Sequence, residues 1–121
     1  MTEKEIRERL ASGSLAYENA LPLVEQALEA GPSVGLWLLR GQLIQLSESS
    51  SYQLEDAAAS YQEASRLEPA NPEPLAELGH FYDAVMADPV RARRYYEAAI
   101  SKGAGEECVD ALTELSKEAG G

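Results

Sequence analysis

One spacing of small and large residues occurs three times in this chain and constrains the fold more than any other feature. An alanine is followed by a large residue at the fourth position, a second alanine three positions later, and a helix breaker five positions after that. The three sets are Ala20, Val24, Ala27 and Pro32; Ala57, Tyr61, Ala64 and Pro69; and Ala92, Tyr96 and Ala99, with Gly103–Ala104 in the breaker position. The first alanines, residues 20, 57 and 92, are separated by 37 and 35 residues. A period of this length indicates a repeated supersecondary unit.

The rest of the pattern is helical as well. Apolar residues recur at intervals of three and four, no stretch alternates with a period of two, and β-branched residues are few. Caps, prolines and glycines divide the chain into seven predicted helices. The first three helices cover about 2–11, 16–30 and 33–47. The fourth ends near residue 67, the fifth starts at 72, the sixth runs from 89 to before 103, and the seventh covers about 105–118.

Three of the predicted helix starts depend on particular residues. Ser50 and Gln53 favour a capping box before the fourth helix. Asn71 is the predicted cap of the fifth helix, because a proline follows it at the first helical position. Pro22 cannot lie deep in a regular helix, so the second helix either starts late, near Asn19, or bends at this proline.

Glycines interrupt the third and fifth predicted helices, where each costs about 1 kcal/mol relative to alanine. In LAELGHFY, residues 75–82, Gly79 lies between large apolar residues. We therefore expect the sixth helix to approach Gly79 closely through Ala92 and Ala99. Tyr82 and Tyr96 would fill the space on either side. The predicted packing residues of this and the preceding helix pair are Trp37, Gly41, Ala57, Tyr61, Ala64, Gly79, Tyr82, Ala92, Tyr96 and Ala99.

These residues together resemble the tetratricopeptide repeat, a helix–turn–helix unit of about 34 residues with the pattern W-x2-L-G-x2-Y, then A-x3-F, A and P. LAELGHFY matches the first half, with Leu75 in the aromatic position. WLLRGQLI matches less closely, because Arg40 stands where leucine is usual. The first helix matches least, with Glu8 in the glycine position and Ala11 in the tyrosine position.

The resemblance implies an all-α, right-handed tetratricopeptide-type α-solenoid in one domain, 1–121. Its three repeats would be about 1–33, 34–71 and 72–104, and 105–118 would be a capping helix. The middle repeat has a longer turn around SESSSYQLED, because Gly41 and Ala57 are 16 residues apart whereas Gly79 and Ala92 are 13 apart. The turn is predicted to be a tolerated surface insertion; the alternative is a contact loop that uses Tyr52.

The family implied by the resemblance binds proteins on a concave face lined by the first helix of each pair. We therefore predict a protein–protein interaction module, an adaptor or scaffold that binds a peptide or helix. The predicted partner-binding residues are Arg9, Leu38, Leu39, Gln42, Gln45, Leu46, Glu73, Glu77, His80 and Asp83. Leu38, Leu39 and Leu46 would supply apolar contact area, and the polar residues would supply specificity.

The charge of these positions favours one kind of partner. The best-known peptide mode of the family clamps a C-terminal carboxylate with Lys, Asn and Arg. Of the corresponding positions here, Arg9 alone has a suitable charge, and Glu73 and Glu77 have the opposite one. A basic or amide-rich partner fits better. The simplest alternative is that both glutamates only favour the helix N-terminus electrostatically.

Composition argues against several other functions. The net charge of −11 argues against nucleic acid and anionic membranes as partners. His80 is the single histidine, without a second His or Cys within one turn, so we predict no metal site. No catalytic motif is present, and we predict neither an enzyme nor a cofactor. Cys108 is the single cysteine, predicted to be a buried thiol, which favours a reducing, cytoplasmic location.

Two features leave alternatives open. Ile6 and Leu10 offer little apolar surface on the first helix, so the third helix could stay partly exposed and pair with a second copy of the chain. Self-association into a homo-oligomer is therefore the alternative function. The stretch VRARRYYEAAI clusters three arginines beside tyrosines, which we interpret as a solvated face paired with nearby acids rather than a nucleic-acid site.

Overall fold

The computed structural model describes residues 1–48 and 51–120, for residues 119 and 120 through the backbone. All regular structure in this part of the chain is helical. The helices are α1 (Glu3–Ala11), α2 (Tyr17–Ala30), α3 (Val34–Leu46), α4 (Leu54–Leu67), α5 (Pro72–His80), α6 (Pro89–Ser101) and α7 (Glu106–Gly120). A short π-helical turn, Phe81–Val85, continues α5.

The helices form two compact units. Unit 1, Met1–Leu67, contains α1 to α4, and each of its helices packs on the next one along the chain. Unit 2, Glu68–Gly121, contains α5 to α7, with α6 packed against both α5 and α7.

Side-chain caps begin four of the described helices, and those of α3, α5 and α6 are the caps that the sequence predicts. The Thr2 hydroxyl accepts from the Glu5 N–H at 3.2 Å, and the Glu5 carboxylate accepts from the Thr2 N–H, so α1 begins with a capping box. Ser33, Asn71 and Asp88 cap α3, α5 and α6. The predicted Ser50–Gln53 box lies outside the described residues at Ser50. At the start of α4 the Gln53 N–H donates to the Asp56 carboxylate at 2.9 Å.

Helix α2 begins at Tyr17, so the first of the two alternatives, a late start near Asn19, does not occur. The helix instead continues through Pro22, whose ring is exposed. Proline has no N–H, so the Glu18 carbonyl loses the backbone donor that residue 22 would otherwise supply. Helix α2 is retained because its apolar side is well covered: Ala20 and Val24 have no exposed surface.

Residues near the N-terminus form a packed helix. Ile6 has no exposed surface. Arg7 donates to the Gly35 carbonyl at 3.1 Å and pairs with Glu3 at 2.9 Å, which ties α1 to the first turn of α3. Helix α3 buries most of its apolar residues: Leu36, Leu38, Leu39, Leu43 and Ile44. Most of the apolar surface of α3 is therefore covered, with Val34 and Trp37 half-buried and Leu46 exposed at its end.

Candidate functional site

In each unit a tyrosine ring lies directly on a helix glycine. The Tyr61 ring of α4 contacts the backbone of α3 at Gly41. In unit 2, a Cβ added at Gly79 of α5 would lie 2.5 Å from Cδ1 of Tyr96. We expected Ala92 and Ala99 of α6 to make the closest approach to Gly79. They are fully buried in the same helix, but the closest approach to glycine is made by the aromatic ring.

The two tyrosine hydroxyls are held in the same way. Tyr61 Oη donates to Gln45 Oε1 at 3.0 Å, and Tyr96 Oη donates to Asp83 Oδ2 at 3.0 Å. Each acceptor lies four residues after the glycine that its tyrosine covers. Burial, followed by the hydrogen bond to Asp83, raises the pKa of Tyr96 above its ordinary value. Gln45 and Asp83 thus already serve the packing of their own helix pairs.

Arg40 occupies the position where the repeat pattern has leucine, and the structure gives it several partners. Its Nε donates to Glu25 at 2.7 Å, and its Nη1 donates to the buried Ser60 hydroxyl at 2.6 Å. The guanidinium also lies 5.7 Å from the Trp37 ring centroid and 5.5 Å from that of Tyr52. A planar cation suits this mixture of fork-like bonds and ring faces.

The Tyr52 contact concerns the enlarged turn of the middle repeat. Tyr52 is half-buried with its ring against Arg40, so this aromatic side chain contacts the chain itself. Burial, followed by the nearby charge of Glu25, raises the pKa of Tyr52. The ring therefore joins the end of the turn to helix α3 rather than projecting from it.

His80 joins all three helices of unit 2. Its Nδ1 lies 3.0 Å from Tyr96 Oη on α6, and its Nε2 lies 3.1 Å from Glu107 Oε1 on α7. The Tyr96 hydroxyl donates to Asp83, so the imidazole ring bridges this buried hydroxyl and the Glu107 carboxylate of α7. Local spacing places only Glu77 and Asp83 three residues from His80. The contact with Glu107 was missed because it joins residues 27 positions apart.

A cavity of about 200 Å³ opens between the first turns of α5 and α7. It is lined by Pro72, Glu73, Ala76, Ala104, Gly105, Glu107 and Cys108. Glu77 is half-buried one residue after the lining Ala76. Burial raises the pKa of Glu77, the charges of Glu73 and Glu107 raise it further, and His80 opposes the shift. The cavity therefore combines small apolar side chains with closely spaced carboxylates.

The same helical arrangement is found in a solved structure. The crystal structure of the Sgt2 TPR domain from Aspergillus fumigatus matches 97% of this chain and 76% of its own length, with a TM-score of 0.78 and 23% sequence identity. The fold is that of a tetratricopeptide repeat domain. No family model matches the sequence, and no curated protein matches it either.

The predicted apolar contact residues differ strongly in solvent exposure within this tetratricopeptide fold. Leu38 and Leu39 are 3% and 4% exposed, whereas Leu46 at the end of α3 is 56% exposed. The two buried leucines have no surface left for a partner, which corrects their assignment. Helix α3 is apolar around much of its circumference, so its sequence pattern could not show which leucines are covered.

The polar candidates also differ in availability. Arg9 and Glu73 are exposed, and Gln42 and Glu77 are half-buried. Within the described residues, the Glu73 and Glu77 carboxylates make no hydrogen bond or ion pair at contact distance. In the part of the chain that the structure describes, no three His, Cys, Asp or Glu side chains are placed to hold a metal ion. None of the described helices combines the length and apolar character of a bilayer-spanning segment.

The arginine-rich stretch of α6 makes contacts inside unit 2. Arg91 pairs with Asp88 at 3.5 Å and lies 5.4 Å from the centroid of the Tyr82 ring. Tyr82 in turn stacks on Tyr95 with centroids 5.5 Å apart. These contacts make Arg91 part of the packing between α6 and the π-helical turn.

Proposed function

We propose that this tetratricopeptide fold is a protein-interaction module that binds a basic segment of a partner protein on one surface of unit 2. This surface, the acidic face, consists of Glu73, Ala76 and Glu77 on α5 and Glu107 on α7. The observation that carries the proposal is that Glu73 lines the cavity and Glu77 follows the lining Ala76 on α5, and neither carboxylate has a hydrogen bond or ion pair within the described residues. Charge complementarity then favours a cationic partner.

Different sides of α5 make different contacts, and this difference supports the assignment. Leu78 and Gly79 are buried, and Gly79 receives the Tyr96 ring of α6. Glu73 and Ala76 border the open cavity with α7 instead. One side of the helix thus maintains the fold, and another side offers small and acidic groups to a ligand.

The fold also supports a wider proposal. We propose a scaffold or adaptor role rather than catalysis, with α1–α2, α3–α4 and α5–α6 as three repeats and α7 as the capping helix. A cytoplasmic location fits the single buried cysteine. Self-association would require exposed apolar surface on α3. Among the described residues of this helix, Leu46 is the one apolar residue that is more than half exposed.

The experiment begins with selection of peptides from a random displayed library on the immobilised wild-type protein. The affinity of selected peptides is then measured by calorimetry for wild type and for the double variant Glu73→Gln/Glu77→Gln. We expect selected peptides to be rich in Arg and Lys and to bind the variant about tenfold more weakly, since two charge contacts are lost.

The matched control is Glu97→Gln/Asp110→Asn, which removes the same charge from exposed positions of α6 and α7. It should retain wild-type affinity apart from a small general charge effect. Failure to select any peptide, or equal weakening by both double variants, would overturn the proposal. Leu39→Glu is unsuitable for this test, because it would place a carboxylate in the core and unfold the protein.

A further inference from the structure

We propose that the cavity between the first turns of α5 and α7 receives one arginine side chain of the bound partner. This inference rests on the proposed function and specifies its ligand chemistry. It is carried by the volume and small-residue lining of the cavity together with the carboxylates beside it.

The cavity has the size and lining for a long, thin side chain. Its volume is about 200 Å³, and the residues along it are mostly small: Ala76, Ala104, Gly105 and Cys108, with Pro72 at one side. These residues leave open a space that larger ones would fill. The aliphatic stem of an arginine can lie along such an apolar wall while its charged end stays near the rim.

The charge at the rim suits the end of that side chain. Glu73 on α5 and Glu107 on α7 line the cavity from two helices, and Glu77 is close enough to both to feel their charge. After burial itself, the charges of Glu107 and Glu77 raise the pKa of the Cys108 thiol, which also lines the cavity. Glu107 already faces His80 Nε2 at 3.1 Å, so a cation placed here would chiefly relieve the repulsion that Glu73 and Glu107 exert on Glu77.

Guanidinium fits this geometry better than ammonium. It is planar, presents five donors to acceptors on more than one side, and is weakly hydrated, so entry into a partly apolar cavity costs less. Lysine has a compact, strongly hydrated charge that loses more solvent on entry. We therefore expect arginine to bind more tightly than lysine.

The test uses small probes and isotope-labelled full-length protein. N-acetyl-arginine-N-methylamide is titrated while backbone amide resonances are followed by NMR. The lysine analogue and the citrulline analogue are titrated in parallel, because citrulline keeps the shape of arginine but has no charge. We expect saturable shifts at Ala76, Gly105 and Cys108 with arginine, a dissociation constant about threefold or more weaker with lysine, and no saturable shifts with citrulline.

Two variants probe charge and space separately. Glu107→Gln should weaken arginine binding about fivefold, and Ala76→Met should abolish it by filling the cavity without changing the charge. Asp110→Asn is the control, since it removes a carboxylate from an exposed position of the same helix. Circular dichroism establishes that each variant is folded.

The outcomes separate this inference from the function on which it rests. Equal shifts with arginine and citrulline, shifts dispersed over unit 2, or unchanged binding by Ala76→Met would overturn the arginine site. If selected basic peptides still lost affinity with Glu73→Gln/Glu77→Gln, the proposed function would stand while this inference fell. If no peptide bound the acidic face at all, both would fall.

Discussion

Gly79 shows how much of unit 2 depends on the absence of one side chain. The Tyr96 ring occupies the position next to the α5 backbone, and its hydroxyl donates to Asp83 on the π-helical turn that continues α5. Gly41 and Tyr61 repeat this contact in unit 1, although the turn before α4 is longer. A ring seated on glycine is therefore the local unit that joins the first and second helices of a pair.

We expect Gly79→Ala to lower the free energy of unfolding by about 1–3 kcal/mol, because the added methyl group collides with a buried ring. This loss would occur although alanine favours a helix by about 1 kcal/mol. Urea denaturation followed by far-ultraviolet circular dichroism measures it. Gly31→Ala is the control, since a Cβ there meets nothing within 4 Å. Equal stability of the two variants would mean that the ring moves without cost.

Glu77 provides a pH-dependent prediction. Burial raises its pKa above the ordinary value of 4.5. The folded protein therefore binds this proton at higher pH than the unfolded chain does, and the stability contributed by the protonated form is lost as pH rises from 4.5 through the folded pKa. At about pH 7 the ionised carboxylate lowers stability relative to an uncharged side chain.

Glu77→Gln should therefore raise the free energy of unfolding at neutral pH by less than about 1 kcal/mol, because solvent screens a half-buried carboxylate, and this gain should disappear in acid below the unfolded pKa. Glu97→Gln removes the same charge from an exposed site, so the difference between the two variants isolates the effect of burial. Urea denaturation at both pH values tests this. A gain that persists in acid would contradict the assignment. A carboxylate retained at a cost in stability is typical of a binding surface.

At the scale of helices, α2 contains a residue that disfavours helix formation. Pro22 lies inside the helix, where proline costs about 3 kcal/mol relative to alanine. Pro22→Ala should raise the free energy of unfolding by about 1–3 kcal/mol. The substitution restores the backbone hydrogen bond from residue 22 to the Glu18 carbonyl, and it disturbs no packing because the proline ring is exposed. Thermal melting followed by circular dichroism would show the gain.

Pro32→Ala is the matched control for this prediction. Pro32 precedes α3 and lies outside any helix, so its replacement restores no helical hydrogen bond. Alanine there should instead lower stability by about 0.5 kcal/mol through greater freedom of the unfolded chain. Opposite signs for the two substitutions are the expected result, and a loss of stability in both would show that α2 has adapted to its proline.

At the scale of the whole molecule, net charge becomes important. The chain has 21 acidic and 10 basic residues, so its charges repel one another on balance. Raising NaCl from about 10 mM to about 150 mM shortens the screening length from about 30 Å to about 8 Å. We expect this change to raise the free energy of unfolding and to weaken binding of the arginine probe.

The comparison variant Glu29→Gln/Glu55→Gln makes the net charge less negative by removing two carboxylates from exposed positions of unit 1. Its stability should depend less on salt than that of the wild type, while its affinity for the arginine probe changes little. Salt effects of the same sign on stability and on affinity would contradict the electrostatic account.

How far the fold follows from the sequence depends on the range of the interactions concerned. Helix ends were predictable, because caps such as Ser33 and Asn71 act on backbone groups within one turn. The burial of Leu38 and Leu39 was not, since α3 is apolar on several sides and other elements decide which side is covered. The partners of Arg40 and His80 come from different helices, so local spacing could not reveal them.

Trp37, half-buried beneath the Arg40 guanidinium, is the single tryptophan of the chain and lies in unit 1, whereas Tyr82, Tyr95 and Tyr96 belong to unit 2. Its fluorescence is therefore a reporter of one half of the molecule. Emission and ellipticity curves that coincide during denaturation would indicate that the two halves melt as a single cooperative block. Separate curves would assign the tryptophan transition to unit 1 and leave the remaining ellipticity as the signal of the half that bears the acidic face.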